Sequence, residues 1–328
     1  MNISNSKHSD AAERAIRIGQ TTQVSQATSS ARPTVERAAE GYGYEALFRD
    51  IRALQSAYPF IETGTIGRSV MGRDIPFLRI GHGQREIHYN GSFHANEWIT
   101  SQLLMHFIAA YAEAFYNGGR LAGHAAARLM EETSLWVVPM VNPDGVELSI
   151  HGANGHPARD RLIAWNGGSD DFSGWKANIR GVDLNDQFPA HWDTERERRE
   201  VDGPGPRDYT GERPLSEPEA VAMEQLTRSR DFRLVMAFHT QGKEIYWNYR
   251  DYEPGEAETL SSRLEVLSGY KAIKLTGSDA GYKDWFIQEF RRPGFTVEAG
   301  FGVNPLPLEQ FPDIYKELLP LLTEGMLL

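Results

Sequence analysis

Apolar residues along the chain alternate between helical and strand-like spacing, and this alternation predicts the elements of the fold. Leu47, Ile51 and Leu54 lie on one face of a predicted helix over residues 45–58. The same patterns predict a hairpin over residues 63–80, a helix over 99–115, and strands over 86–93, 135–141, 232–238 and 294–297. Two segments without such patterns, residues 151–174 and 191–213, are predicted as loops. Alternating helices and strands favour an α/β fold with one mostly parallel, mixed and twisted sheet flanked by helices.

The beginning of the chain differs from the rest in composition. Residues 1–32 are rich in Ser, Thr, Gln and Ala and lack the apolar core of a secretory signal. We expect residues 1–40 to form a flexible tail, with a short helix over residues 11–18, ahead of a single catalytic domain over residues 41–328. The missing signal favours a cytoplasmic location, and release or attachment to the cell wall is the alternative.

Composition and charge exclude several classes of protein. The chain has 328 residues, a net charge of −11 and no cysteine. Nucleic acids and anionic membranes are unsuitable partners, because their phosphates attract clustered Lys and Arg. No apolar run reaches the length that crosses a bilayer. Without cysteine there are no disulfides, no thiolate catalysis and no ordinary structural zinc site. The oligomeric state stays open.

Metal-binding and acidic side chains stand at the ends of predicted strands. His94 and Glu97, three residues apart, come directly after one strand, and His239 and Glu298 each follow another. Open α/β sheets place their sites at this edge. Two histidines and one carboxylate can hold zinc while leaving its fourth position open for water, as catalytic zinc sites do. These residues are therefore candidates for one catalytic zinc site per chain, with hydrogen-bonded structural histidines as the alternative that they leave open by themselves.

Five short motifs surround these residues and carry a family resemblance. They are GSFHANEW at 91–98, VPMVNPDG at 138–145, GVDLN at 181–185, FHT at 238–240 and FTVE at 295–298. In this order and spacing they resemble the zinc carboxypeptidases, the family of carboxypeptidase A, over roughly residues 44–328. The resemblance implies a carboxypeptidase A-like single domain. It also implies that His94, Glu97 and His239 are the zinc ligands.

The resemblance assigns further roles to single residues. Glu298 matches the carboxylate that takes a proton from zinc-bound water and passes it to the leaving amine. Asp183 matches the carboxylate that orients the first zinc histidine, with a simple turn aspartate as the alternative. Lys176 stands where the family has an oxyanion-stabilising arginine, and it keeps the charge but not the planar fork. Arg180 is the rival cation, and a solvated lysine is the third possibility.

The chain departs from ordinary carboxypeptidases in its expected substrate pocket. After Asn185 the family has an arginine that clamps the terminal carboxylate, and this chain has Asp186, which suits an ammonium instead. Lys283, at the predicted base of the pocket, suits an acidic group, unless it faces solvent or pairs with Asp284 or Asp279. The predicted substrate-binding residues are Asn185, Asp186, Arg180, Tyr282 and Lys283.

Both departures fit a leaving residue with a zwitterionic end, as in meso-diaminopimelate. With the segments KANIRG at 176–181 and FHTQGKE at 238–244, they make the chain resemble the γ-D-glutamyl-meso-diaminopimelate peptidases. This resemblance implies a zinc metallopeptidase that hydrolyses the γ-D-glutamyl-meso-diaminopimelate bond of bacterial murein peptides. Two alternatives stay open. One is a conventional metallocarboxypeptidase that releases C-terminal amino acids, and the other is a non-catalytic muropeptide-binding protein.

Overall fold

An eight-stranded mixed sheet organises the chain in a computed structural model that describes Val35 and residues 41–328. The predicted helix over residues 11–18 and the rest of the predicted tail, apart from Val35, lie outside the described residues. The strands are β1 (Glu62–Arg68), β2 (Asp74–Ile80), β3 (Arg85–Gly91), β4 (Arg120–Leu121), β5 (His124–Ala125), β6 (Thr133–Val138), β7 (Phe232–His239), β8 (Glu244–Tyr246), β9 (Lys271–Ile273) and β10 (Gly294–Glu298). Strands β4 and β5 form a separate small hairpin.

Ten α-helices are assigned within the described residues. They are α1 (Tyr44–Ala57), α2 (Ile99–Tyr116), α3 (Ala126–Glu132), α4 (Pro143–His151), α5 (Arg159–Trp165), α6 (Trp192–Arg199), α7 (Pro218–Arg228), α8 (Ala257–Ser268), α9 (Tyr282–Phe290) and α10 (Phe311–Gly325). None of them is long and apolar enough to cross a membrane.

The order of strands confirms the predicted mixed sheet. Across the sheet the order is β1-β2-β6-β3-β7-β10-β8-β9. The four central strands β6, β3, β7 and β10 are mutually parallel. The pairs β1–β2, β2–β6 and β8–β10 are antiparallel, and β9 pairs parallel with β8. Parallel strands have their carboxyl ends at one edge, so β3, β7 and β10 deliver the residues that follow them to the same place.

Helices cover both faces of the sheet, and β7 shows how the sequence arranges this. Met236 and Phe238 pack in one core with residues of α1, α2, α8 and α10. Val235 and Ala237 pack in the other core with residues of α7 and α9. Successive side chains of a strand point to opposite faces, so a strand covered on both sides is apolar throughout. This is why β7 and β10 appear in the sequence as mostly apolar runs, whereas β3 carries the buried polar residues His88 and Asn90 on one face.

The two predicted loops are corrected by the structure, because each contains a helix. Helix α5 interrupts the first loop and α6 interrupts the second. Only Leu162 is fully buried in α5, and only Trp192 and Glu195 are buried in α6. Such helices present no apolar stripe, so their sequences lack the periodicity by which α1 and α2 were predicted.

Candidate active site

A tight turn after β3 brings His94 and Glu97 together. His94 is extended and directly precedes a 3₁₀ turn over Ala95–Glu97, after which α2 begins. Residues three apart are eclipsed in a 3₁₀ turn, so the two side chains point the same way. The Nδ1 atom of His94 lies 2.9 Å from Oε1 of Glu97. Asn304 adds a contact from the loop after β10, since its Nδ2 donates to the same oxygen at 3.3 Å.

The parallel register of the central strands brings His239 to the same point. His239 ends β7, which pairs with β3, and its Nδ1 lies 3.0 Å from Oε2 of Glu97 and 3.1 Å from Nδ1 of His94. All three side chains are buried. Two imidazole nitrogens and a carboxylate that converge in a buried place match the donor set of a catalytic zinc site. The residues therefore fit the metal that the sequence predicts.

The ionisation of Glu97 suits a cation. Burial alone would raise the pKa of Glu97, but the charge and hydrogen bonds of His94 and His239 outweigh burial and hold that pKa below its usual range. Burial acts in the opposite direction on His239, and its hydrogen bond to Glu97 reverses this and raises its pKa. Glu97 is consequently ionised at neutral pH, as a metal-binding carboxylate must be.

Asp183 links the cluster to Lys176. Its Oδ1 lies 3.3 Å from Nε2 of His94, and its Oδ2 lies 2.8 Å from Nζ of Lys176. Burial raises the pKa of Asp183, but the charges of Lys176 and His94 outweigh burial and hold it well below its usual range. Asp183 therefore lies where a carboxylate could orient a metal-binding imidazole through its second nitrogen, and this role stays a prediction.

The structure places the two rival cations differently. Lys176 contacts Asp183, and its charge acts electrostatically on Glu298 and His239. Arg180 instead pairs with Glu217 at 3.5 Å, and 53% of its side chain is exposed. Lys176 is thus the cation beside the cluster.

Glu298 stands at the end of β10, beside His239 and opposite Glu244 of the antiparallel strand β8. Burial raises the pKa of Glu298 to about 8; Glu97 and Glu244 add to the rise, and His239 and Lys176 oppose it. A carboxyl group with a raised pKa can take up and release a proton near neutrality, as a general acid–base must. A bound cation would lower this value.

Tyr282 is a correction to the predicted substrate-binding residues. It begins α9, its side chain is fully buried, and its hydroxyl lies 2.8 Å from Oγ1 of Thr227. Its ring packs against Phe93 and Phe188. The start of α9 directs this side chain into the core, so the structure contradicts a role in binding substrate.

Lys283 forms an ion pair with Asp284, which is one of the alternatives to binding an acidic substrate group. Its buried Nζ lies 2.5 Å from Oδ1 of Asp284 and donates to the carbonyl of Asn248 at 2.7 Å. Asn185 lies next to the same helix, where its Oδ1 accepts a hydrogen bond from the backbone N–H of Tyr282 at 3.3 Å. A role for Lys283 or Asn185 in binding substrate stays a prediction.

Asp186 is buried, with 2% of its surface exposed, and it pairs with Arg199 of α6. Burial and the nearby charge of Asp183 raise its pKa to about 7, against the charges of Arg199 and Lys176. Neither Arg199 nor Asn304 was singled out from the sequence. Asn304 lies 207 positions from Glu97, and no local pattern marks such a contact.

The fold and the site define the class of protein, and sequence comparison identifies the family. The chain belongs to the zinc carboxypeptidase family, whose model matches residues 47–319. It is 52% identical over 290 residues to the Gamma-D-glutamyl-L-diamino acid endopeptidase 1 of Lysinibacillus sphaericus, covering 88% of this chain and 73% of that protein. It is 42% identical over 279 residues to YqgT of Bacillus subtilis (strain 168), covering 84% of this chain and 74% of that protein.

Solved structures agree with the predicted carboxypeptidase A-like fold. Thrombin activatable fibrinolysis inhibitor matches with a TM-score of 0.72 at 18% identity, covering 91% of this chain and 77% of that chain. The murein-tripeptide amidase MpaA of Escherichia coli O157 matches with a TM-score of 0.53 at 20% identity, covering 83% and 95%. At these identities the likeness concerns the fold alone.

Proposed function

We propose that this zinc peptidase hydrolyses the bond between γ-D-glutamate and meso-diaminopimelate in murein peptides, with one zinc ion held by His94, Glu97 and His239. One observation supports this reaction most directly: two imidazoles and a carboxylate converge in a buried place, beside a second carboxylate, Glu298. The relative from Lysinibacillus sphaericus, which is 52% identical and named for a γ-D-glutamyl-diamino acid bond, supports the substrate.

Each residue of the site has a separate role in the proposed hydrolysis. Bound zinc supplies a Lewis acid that polarises the scissile carbonyl and makes water more acidic. Glu298 accepts a proton from the water that attacks the carbonyl carbon, and then donates it to the leaving amine as the carbon–nitrogen bond breaks. Lys176, within electrostatic reach of Glu298, offers its charge to the oxyanion of the tetrahedral species.

Asp183 acts on this chemistry through its neighbours. Its contact with Nε2 of His94 favours the tautomer in which Nδ1, the nitrogen that faces Glu97, is free to bind the metal. Its other oxygen holds Lys176 at 2.8 Å. One buried carboxylate thus positions both a metal ligand and the oxyanion-stabilising cation.

Turnover of one defined peptide tests the proposal. L-Ala-γ-D-Glu-meso-diaminopimelate should be cut to release diaminopimelate, identified by mass, and a hippuryl dipeptide should be a poor substrate. The reverse preference would favour a conventional carboxypeptidase, and no turnover of either would favour a binding protein. A cytoplasmic location stays a prediction for cell fractionation.

A matched pair of variants tests the role of Glu298. Glu298→Gln keeps the shape and removes the base, so kcat should fall at least ~100-fold while zinc is retained. Glu244→Gln changes the same residue type directly opposite on β8, where the side chain accepts a hydrogen bond from Tyr246. This control should keep kcat within about 5-fold of the parent. A Glu298→Gln enzyme with near-normal kcat would assign the proton transfers to another residue.

A further inference from the structure

An arginine 13 positions later in the chain, at the end of helix α6, contacts Asp186. Asp186 occupies the position where the sequence departs from the carboxylate-clamping arginine of ordinary carboxypeptidases. In the structure Nη2 of Arg199 donates to Oδ1 of Asp186 at 2.9 Å, and Nε lies 2.8 Å from Oδ2. The positive charge that position 186 lacks is therefore restored next to it, by the last residue of α6.

Helix α6 holds Arg199 in a fixed place. Trp192, the first residue of the helix, is buried, and its Nε1 donates to the carbonyl of Thr210 at 3.2 Å. The buried carboxylate of Glu195 accepts a hydrogen bond from the backbone N–H of Asp279 at 3.0 Å and lies 2.7 Å from Nε of Arg199. The start and the middle of the helix are thus tied to the domain, and Glu195 also holds Arg199, so this last side chain needs little ordering to bind a ligand.

Arg199 keeps donors that the protein does not use. A guanidinium carries five N–H groups, one on Nε and two on each Nη. Among the described residues, Nη1 donates to Asp208 at 3.0 Å and Nη2 donates to Asp186 at 2.9 Å, while Nε lies 2.8 Å from Asp186 and 2.7 Å from Glu195 without a well-directed hydrogen bond. One N–H on each Nη atom is left, and 22% of the side chain is exposed. Paired donors of this kind suit a carboxylate.

Asp186 also keeps an unused group. Its Oδ2 is buried and has no well-directed hydrogen bond in the part of the chain that the structure describes, although Nε of Arg199 is near. The pair adjoins the catalytic residues, since Asp208 contacts Arg199 and lies 3.7 Å from Nζ of Lys176. A negatively charged hydrogen-bond acceptor, Asp186, and a positively charged hydrogen-bond donor, Arg199, thus lie side by side near the candidate catalytic residues.

We propose that Arg199 and Asp186 together bind the zwitterionic end of the leaving residue. Arg199 binds its carboxylate through the two remaining N–H groups, and Asp186 accepts a hydrogen bond from its ammonium through Oδ2. This inference rests on the proposed function and names how that site selects a diamino dicarboxylic acid. It places the carboxylate at Arg199 instead of Lys283, whose ammonium is buried against Asp284 and the carbonyl of Asn248.

Binding of the free product tests this inference without turnover. We would measure by calorimetry the affinities of meso-diaminopimelate and L-lysine, which lacks the second carboxylate, for the zinc-loaded full-length enzyme. The parent should prefer diaminopimelate by about 10- to 100-fold, the usual worth of a charge-assisted contact. Arg199→Met should reduce that preference to within about 3-fold by weakening diaminopimelate alone. No preference in the parent, or an unchanged one in Arg199→Met, would overturn the proposal.

Three further variants separate recognition from folding. Arg199→Lys keeps a charge beside Asp186 and loses the planar fork, so it should fold and still lose most of the preference. Arg198→Met removes the neighbouring arginine, which pairs with Glu195, and should keep the preference. Lys283→Met should also keep it. A preference that survives in Arg199→Lys and vanishes in Lys283→Met would assign the carboxylate to Lys283 and reject our proposal.

Hydrolysis measured in parallel distinguishes this inference from the proposed function. A parent enzyme that binds diaminopimelate through Arg199 but does not cut L-Ala-γ-D-Glu-meso-diaminopimelate would refute the proposed function and leave the binding site standing. A parent that cuts this peptide and its L-lysine analogue at equal kcat/KM would refute the binding site and leave the bond cleavage standing.

Discussion

Asp183 is the residue whose replacement tests the site most directly, because it joins His94, a proposed metal ligand, to the partly buried cation Lys176. Its two oxygens contact Nε2 of His94 and Nζ of Lys176, and its side chain is fully buried. Asp183→Asn keeps the shape and removes the charge. The amide can still contact His94, but Lys176 loses the partner that balances its own charge.

The structure sets the expected size of the effect on stability. Removing one partner of a buried ion pair costs about 3–5 kcal/mol. Lys176 remains within 3.7 Å of Asp208 and 19% of its side chain is exposed, so we expect the lower end, about 3 kcal/mol. A second change, Lys176→Met, removes the unpaired charge and should recover at least half of this loss. Asp208→Asn is the control, at about 1 kcal/mol or less, because Asp208 is partly exposed.

The pH dependence of this difference has a defined sign. The native state holds the pKa of Asp183 well below its usual range. A depressed pKa contributes stability above the unfolded-state pKa of an aspartate, about 4, which is lost as pH falls through the lower native value. The difference between parent and Asp183→Asn should be complete at neutral pH and shrink only in acid.

Two assays check these expectations. Urea unfolding of the metal-free proteins gives the stability difference, and competition with a chromophoric chelator gives the zinc affinity. We expect Asp183→Asn to bind zinc about 10- to 100-fold more weakly, as when an orienting partner of a metal ligand is lost. An Asp183→Asn protein within 1 kcal/mol of the parent at neutral pH, with parental zinc affinity, would refute both roles.

Three further predictions concern the metal, the acid–base group and the N-terminus. His239→Ala should lose stoichiometric zinc and activity together, measured by metal analysis and turnover; an active, zinc-free variant would refute the ligand assignment. Lys176→Met should move the acid limb of the kcat/KM profile to higher pH, because Lys176 lowers the pKa of Glu298; Lys176→Arg should leave it in place. Deleting Met1–Arg32, which spares the buried Val35, should leave kcat/KM unchanged; a large loss would show that the segment supports the domain.

Apolar patterning fixed the central strands and the residues that follow them. His239 and Glu298 each come after a mostly apolar run, and His94 follows a strand with Ile87 and Tyr89 on its apolar face; parallel strands bring such residues to one edge. The pairing of His94 with Glu97 was also a local property, because the turn between them is three residues long. The central strands, their common edge and the candidate metal cluster could therefore be predicted from the sequence, whereas the short strands β8 and β9 could not.

The substrate pocket could not be predicted in the same way. Tyr282 and Lys283 are adjacent in the sequence, and only the start of α9 decides that one enters the core and the other pairs with Asp284. Helix α6 lacks an apolar stripe, and its sequence predicts a loop. No pattern in the sequence therefore indicates that Arg199 contacts Asp186.

The physical reason lies in what each kind of signal records. Periodicity records which face of an element is buried, and burial of an apolar face is a local requirement that the sequence must meet residue by residue. An ion pair or a hydrogen bond between distant segments, such as Asn304 with Glu97, requires only that two polar atoms meet after folding. The sequence by itself determined the central strands and the place of the candidate site, and the tertiary structure alone decided which charges meet there.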